Sequence, residues 1–225
     1  MVFVYIFKEH NIANFHRTCN QQCKTQRLLT VSWIKKFVRG EFGDLSFSLH
    51  SITSPYGVIS KKQRGEYHMI HHLSFRCGGS VNDFIPSELC LVHYASVDDA
   101  VTMIKKIGPI CHLANSDVRS AFRIIPVNLA DYYLLGMHWK GNYYVDCCLP
   151  MGLASLCRTF EMLSTALEWV ARNTLNIPHI IHILDDLLIA AESFDTCKTS
   201  LQQFLAFCEN VGVPMAPEKR ALLRF

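Results

Sequence analysis

Two apolar runs, Ile180 to Leu184 and Leu187 to Ala191, are separated only by the adjacent carboxylates Asp185 and Asp186. Short runs rich in Ile and Leu around a two-residue polar break read as two strands of a buried hairpin with Asp-Asp at its turn. Few chain patterns constrain a fold as tightly, because a hairpin with apolar arms must sit inside a sheet that something else covers. Taken alone, an Asp-Asp turn is more often just a solvated turn. Crowded carboxylates that are not solvated need a proton or a cation, and divalent metals that prefer oxygen ligands are the usual solution.

With 225 residues, half of them hydrophobic, the chain is long enough for one large or two small domains with a real core, and too apolar to be disordered. The net charge is only +3, but residues 1 to 64 carry ten Lys or Arg against three Asp or Glu, and the remainder 12 against 16. A basic front half beside an acidic back half fits a polyanion on one side and cations on the other, or else an ordinary solvated basic face. The ten cysteines follow no disulfide or zinc spacing: Cys147-Cys148 are adjacent, and Cys77, Cys90, Cys111, Cys157, Cys197 and Cys208 lie among apolar residues like reduced core thiols. His10, His16, Cys19 and Cys23 fit no usual finger pattern. The opening run Met1 to Phe7 is too short for a signal core and lacks a basic lead, and no stretch approaches membrane length. We therefore expect an intracellular location, cytoplasmic or nuclear, with no membrane partner.

Before about residue 42 the pattern is mixed, with one helix expected over Leu28 to Val38. Ser54 to Leu73 reads as a hairpin whose tip, Lys61-Lys62-Gln63-Arg64, is cationic. Val97 to Ile107 has helical spacing with Ser96 or Asp98 as N-cap and Gly108-Pro109 as stop. Ile110 to Asn115 reads as a buried strand that delivers Ser116 and Asp117 at its end. Val118 to Ile125 is helix-like, and strands are expected over Tyr132 to Trp139 and Tyr143 to Cys148 around Lys140-Gly141-Asn142. The longest helix follows Gly152, with Leu156, Phe160, Leu163, Leu167 and Val170 on one face. A last helix, capped by Ser193 and ended by Gly212, places Cys197, Leu201, Leu205 and Cys208 on one face. The expected class is α/β (α+β), an antiparallel sheet backed by helices.

Two-metal phosphoryl transfer needs carboxylates from separate strands that converge on a pair of cations. Asp117 at a strand end and Asp185 at a hairpin turn meet that need if their strands are neighbours. Beyond this point a resemblance carries the reading. Ser116-Asp117-Val118-Arg119-Ser120-Ala121-Phe122-Arg123 looks like polymerase motif A, Leu149-Pro150-Met151-Gly152 like motif B, Ile183-Leu184-Asp185-Asp186 like motif C, and Gly212 to Lys219 like motif D of reverse transcriptases. Ser54-Pro55-Tyr56-Gly57-Val58-Ile59, Ile70-His71-His72-Leu73-Ser74, Ser80-Val81-Asn82-Asp83-Phe84-Ile85 and Ala166-Leu167-Glu168-Trp169 resemble the DIRS-type, tyrosine-recombinase retrotransposons. The motifs run in order from about Phe42 to Arg220.

The resemblance implies a polymerase fingers and palm over residues 43 to 225, with a ferredoxin-like palm sheet, after an N-terminal segment 1 to 42. It implies an RNA-directed DNA polymerase that uses dNTPs, an RNA or DNA template with its primer, and two Mg²⁺ or Mn²⁺ ions. Asp117 and Asp185 would hold the metals with the Val118 carbonyl, and Asp186 would support them. Phe122 would lie against the incoming sugar and exclude a 2′-hydroxyl, though its spacing fits a core aromatic equally well. Met151 and Gly152 would lie against nucleotide and template, Lys61 and Lys62 on the fingers tip would meet phosphates, and Lys219 would be the general acid for pyrophosphate.

Two positions depart from the family pattern. His68 stands where relatives usually carry Arg, which exchanges a permanent bidentate clamp for a group mostly neutral at pH 7 and puts nucleotide affinity in question. Ile183 stands where Tyr is usual. The chain ends at Phe225, so the expectation is a retrotransposon polyprotein fragment without thumb or ribonuclease H. Two other readings remain: a catalytically inactive remnant that keeps the fold and binds nucleic acid, and another palm enzyme such as a nucleotide cyclase, against which the fingers motifs and motif B argue.

Overall fold

The computed structural model describes residues 42–44, 51–60, 67–217 and 221–224. Its strands are β1 (Phe42–Asp44), β2 (Tyr56–Ser60), β3 (Tyr67–His71), β4 (His112–Asp117), β5 (Gly136–Trp139), β6 (Asn142–Asp146), β7 (Ile180–Ile183), β8 (Asp186–Ala191) and β9 (Ala221–Arg224). Its α-helices are α1 (Val97–Ile107), α2 (Leu156–Asn173) and α3 (Phe194–Asn210). Antiparallel sheets with helices against them are the expected class. The helix expected over Leu28 to Val38, the N-terminal His and Cys residues, the tip lysines Lys61 and Lys62, and Lys219 lie outside the described residues.

The chain divides into two compact units, Met1–Pro86 with Ile125–Leu156, and Ser87–Ile124 with Cys157–Phe225. In the first unit, β2 and β3 form the expected hairpin, and a separate antiparallel sheet has the order β1-β6-β5. Lys140 and Gly141 alone make the β5–β6 turn, both with positive φ (47° and 86°), the sign pattern of the tight turn that matches strand twist. The strand expected from Tyr132 starts later: Leu129–Leu134 is a 3-10 helix, because the Asn128 side chain accepts a hydrogen bond from the Ala130 amide at 3.0 Å and starts a turn there. Phe42, Val58, Met69 and Met137 form one core cluster of this unit, and Leu73, Val81, Leu135 and Val145 another.

The second unit holds a four-stranded antiparallel sheet of order β7-β8-β4-β9. Residues of β7, β8 and β4 on one face are buried: Ile180, His182, Leu187, Ile189, Ala191, Ser116 and Ala114. Period-two alternation sends Ile183, Asp186 and Asn115 to the other face, where all three are exposed. The buried stripe of α2 is Leu156, Phe160, Ser164, Leu167 and Ala171, spaced four, four, three and four residues apart as a helix face requires. Burying Phe160 and Leu167 stabilises by roughly 1.5–3 kcal/mol each.

In α3 the buried face is Cys197, Leu201, Phe204 and Cys208, so Phe204 takes the place expected for Leu205. Ser193 caps α3, and Gly212 at φ +76° closes it. The Val213 amide donates to Cys208 O at 2.7 Å and the Gly212 amide to Glu209 O at 3.1 Å, the pair of bonds that satisfies the last carbonyls of a helix. Helix α1 starts with a capping box between Ser96 and Asp99, yet none of its residues is buried and Val97 and Val101 stand exposed. The described cysteines are free thiols as expected, with Cys111, Cys197 and Cys208 buried and Cys77 exposed. Burial pushes the Cys208 thiol up to about 12, leaving it inert.

Candidate metal-binding carboxylate site

Asp117 is the last residue of β4 and Asp186 the first of β8, and the two are direct partners across the antiparallel ladder. Opposed residues carry their Cβ atoms about 4.5–5.5 Å apart on one face, so the two carboxylates share it. Asp117 is only 4 % exposed, whereas Asp186 is open to solvent. Like charges so placed are destabilising unless something positive compensates.

The hairpin turn differs by one residue from the expected Asp-Asp turn. Ile183 pairs with Asp186, so the turn is Leu184-Asp185, and Asp186 belongs to the strand. Leu184 has φ +52°. The other described non-glycine residues with positive φ are Arg76, Ser120, Lys140 and Asn176, which makes Leu184 the one bulky apolar residue in that region among the described residues. A branched apolar side chain there costs about 1 kcal/mol or more and must be held by its surroundings.

Two carbonyls of the turn are held from elsewhere in the unit. The Ser164 hydroxyl, buried within α2, donates to Leu184 O at 2.6 Å, and the Val118 amide donates to Asp185 O at 2.9 Å. The segment after α3 adds a third strap. The Ala216 amide donates to Asp117 O at 2.8 Å, the Arg119 amide donates to Pro214 O at 2.8 Å, and Val118 bridges Met215. Residues from the expected motifs A, C and D are thus tied together through backbone and one buried hydroxyl.

Among the described residues no three His, Cys, Asp or Glu side chains converge on one ion position. Asp117, Asp186 and Asp185 offer oxygen donors only, the ligand type that small hard cations take. Small hard cations are ordinarily held by one or two carboxylates with water and substrate phosphates completing the shell, not by a closed protein cage.

Phe122 lies in a short 3-10 helix, Ala121–Ile124, where a longer helix-like stretch was expected; Ser120 at φ +59° turns the chain just before it. Its half-buried ring stands edge-on to Phe160, centroids 5.3 Å apart. Val118 is buried.

His68, Met151 and Gly152 belong to the first unit. His68 is exposed on β3 opposite Ile59. Met151 O accepts a hydrogen bond from the His71 amide at 2.7 Å, and Gly152 takes φ +117°, so close to β3 that a Cβ would stand 2.0 Å from His71 O. Asn82 clamps the same loop: its Nδ2 donates to Gly152 O at 2.8 Å and its Oδ1 accepts from the Ala154 amide at 2.9 Å.

Asn82 lies within one of the quoted motifs, but its clamp is not visible in the sequence, and neither are the placement of Ser164 and the assembly of the charge cluster behind the sheet. There His182, on the buried face of β7, bonds Glu168 through Nδ1 and Glu161 through Nε2, the latter at 3.2 Å, while Arg172 bonds Glu168 at 2.8 Å and Ile180 O at 2.6 Å. Burial alone would push the His182 pKa down, but the hydrogen bond and charge of Glu168, then the charge of Glu161, outweigh it and raise it. The signal was present in the sequence as a lone His inside an apolar strand and two Glu seven residues apart on one helix face.

No protein-family model matches the sequence, and no curated protein does. Solved structures match the fold. A foamy viral protease-reverse transcriptase in complex with double-stranded DNA aligns with TM-score 0.70 and 18% identity over 90% of this chain and 32% of its own. A second such complex aligns at 0.69 and 19% over 100% of this chain and 44% of its own. The foamy viral enzyme in complex with an RNA/DNA hybrid aligns at 0.65 and 17% over 94% and 25%. The chain therefore spans less than half the length of these neighbours, and its described residues have a reverse transcriptase-like fold.

Proposed function

We propose that the chain is the fingers and palm portion of an RNA-directed DNA polymerase, of the DIRS-type retrotransposon group that its motifs resemble. The observation that carries this is the opposition of Asp117 and Asp186 on neighbouring strands beside Asp185, in a fold matched by foamy viral protease-reverse transcriptase. Asp117, Asp185 and the Val118 carbonyl would hold two Mg²⁺ or Mn²⁺ ions, with Asp186 beside them. When bound, such ions neutralise charge on the triphosphate and lower the pKa of the primer 3′-hydroxyl.

The chain's own groups do the rest. Phe122 would exclude a 2′-hydroxyl on the sugar side of the carboxylate site, and the motif of Met151 and Gly152 implies contacts of its own to nucleotide and template. Lys61, Lys62 and His68 meet phosphates, and Lys219 gives a proton to the leaving pyrophosphate. Template, primer and dNTP are the expected partners. Foamy viral protease-reverse transcriptase has been solved with double-stranded DNA and with an RNA/DNA hybrid. Among the described residues, no helix is long and apolar enough to cross a membrane.

A second reading, an inactive remnant that keeps the fold and binds nucleic acid, is favoured by His68 in place of an always-charged Arg. Primer extension separates the two. The purified chain, given an RNA template, a DNA primer, dNTPs and Mg²⁺ or Mn²⁺, should extend the primer, and Asp185→Asn should abolish extension. No extension either alone or with a thumb domain fused on would favour the remnant.

A further inference from the structure

The geometry points to Ser164 as a positioning residue that fixes the carboxylate-bearing turn from the helix side, an inference that rests on the metal-binding reading above. Leu184 and Asp185 form a two-residue turn in which the first residue has φ +52°, a conformation that glycine adopts freely and leucine resists. The two-residue hairpin asks for positive φ at its first turn residue and leucine resists it, so a contact from outside the hairpin is needed to hold that backbone. The Ser164 Oγ supplies it. It is 1 % exposed, sits in the middle of the buried stripe of α2 between Phe160 and Leu167, and donates to Leu184 O at 2.6 Å.

A serine in mid-helix is unremarkable by propensity, and its hydroxyl often bonds back to its own helix. Here it reaches the turn 20 residues away in sequence. Its bond fixes the orientation of the Leu184-Asp185 peptide plane. The Val118 amide fixes the next plane through Asp185 O, so Asp185 is held from both sides. With the hydroxyl removed, the Leu184 carbonyl of this half-buried turn loses its donor and the turn is free to relax toward negative φ, which would reorient Asp185. The device exists because the residue before Asp185 is not glycine: a glycine there would make the hydroxyl unnecessary.

Two readouts test this in the full chain. Hydrogen–deuterium exchange without metal should show the peptide over 180–190 exchanging faster in Ser164→Ala than in wild type, with α3 unchanged. Equal exchange in that peptide overturns the inference. Mn²⁺ affinity, read by electron paramagnetic resonance, should fall about five- to tenfold in Ser164→Ala and return to within about twofold of wild type in Ser164→Ala/Leu184→Gly. Loss without rescue means the hydroxyl serves general packing and overturns the inference. If Ser164→Ala does not fold, Ser164→Cys keeps the size with a weak donor and should show the same pattern in smaller degree; wild-type exchange and affinity there also overturn it. Asp185→Asn is the control for the underlying reading. If it leaves Mn²⁺ affinity intact, the metal site is wrong, and the exchange arm still decides the role of Ser164.

Discussion

Replacing Gly152 by Ala removes a conformation that the Met151-Gly152 loop cannot do without. At φ +117° an L-residue is strained wherever it sits, at a cost of roughly 1–3 kcal/mol. The added Cβ would stand 2.0 Å from His71 O, a backbone atom that cannot rotate away, so the loop and the end of β3 must separate by more than an ångström. That separation breaks the His71 amide bond to Met151 O at 2.7 Å and strains the Asn82 bond to Gly152 O at 2.8 Å, each worth about 1 kcal/mol net. The sum is about 3–5 kcal/mol, a large part of the stability of an ordinary domain. For a chain of this size it lowers the melting temperature by roughly 10 °C. Thermal melts by circular dichroism on wild type, Gly152→Ala and Asn82→Ala check it, with Asn82→Ala losing about half as much. A Gly152→Ala melt within about 2 °C of wild type would refute the close approach.

Two further outcomes follow from named contacts. Because the folded-state pKa of His182 is raised, its stabilisation is complete below the unfolded value near 6.5 and is lost as pH rises through the folded value. Urea unfolding from pH 5 to 9 should therefore show wild type losing stability with rising pH relative to His182→Gln, with Glu161, Glu168 and Arg172 intact; a flat difference would contradict the raised pKa. Replacing Phe122 by Ala should raise ribonucleotide incorporation relative to deoxynucleotide by at least about tenfold in primer-extension kinetics, and an unchanged ratio would return Phe122 to the role of a core ring against Phe160.

Much of the fold was legible where local chemistry decides it. Ser96 and Ser193 read as helix caps because their side chains bond amides three residues on, and Gly212 read as a stop because its φ is positive. Apolar runs around a polar break marked β7 and β8, and helical spacing marked α2 with Leu156, Phe160 and Leu167 of its buried stripe, while Ser164 and Ala171 take the places expected for Leu163 and Val170. The carboxylate turn was misplaced by one residue because its geometry is set by Ser164 and Val118, which lie far away in sequence. The pairing of Asp117 with Asp186 was required by the chemistry but invisible to the eye, since cross-strand register between β4 and β8 is a tertiary fact. Tyr132 to Leu135 read as strand because aromatic and apolar residues favour strands, while one Asn128 cap diverted the segment into a 3-10 turn. His182 was passed over because its two Glu partners come from a helix, not from its own strand.

The proposed function stands on Asp117 and Asp186, which pair across the β4–β8 ladder, binding a divalent cation together with Asp185. Melting temperature with and without Mn²⁺, for wild type, Asp117→Asn and Asp185→Asn, tests it directly. With Mn²⁺ at about ten times its dissociation constant, wild type should gain about 1.4 kcal/mol, or roughly 3–5 °C, and both variants should gain little or nothing. An equal Mn²⁺ shift in all three proteins, or none in wild type, would contradict the account.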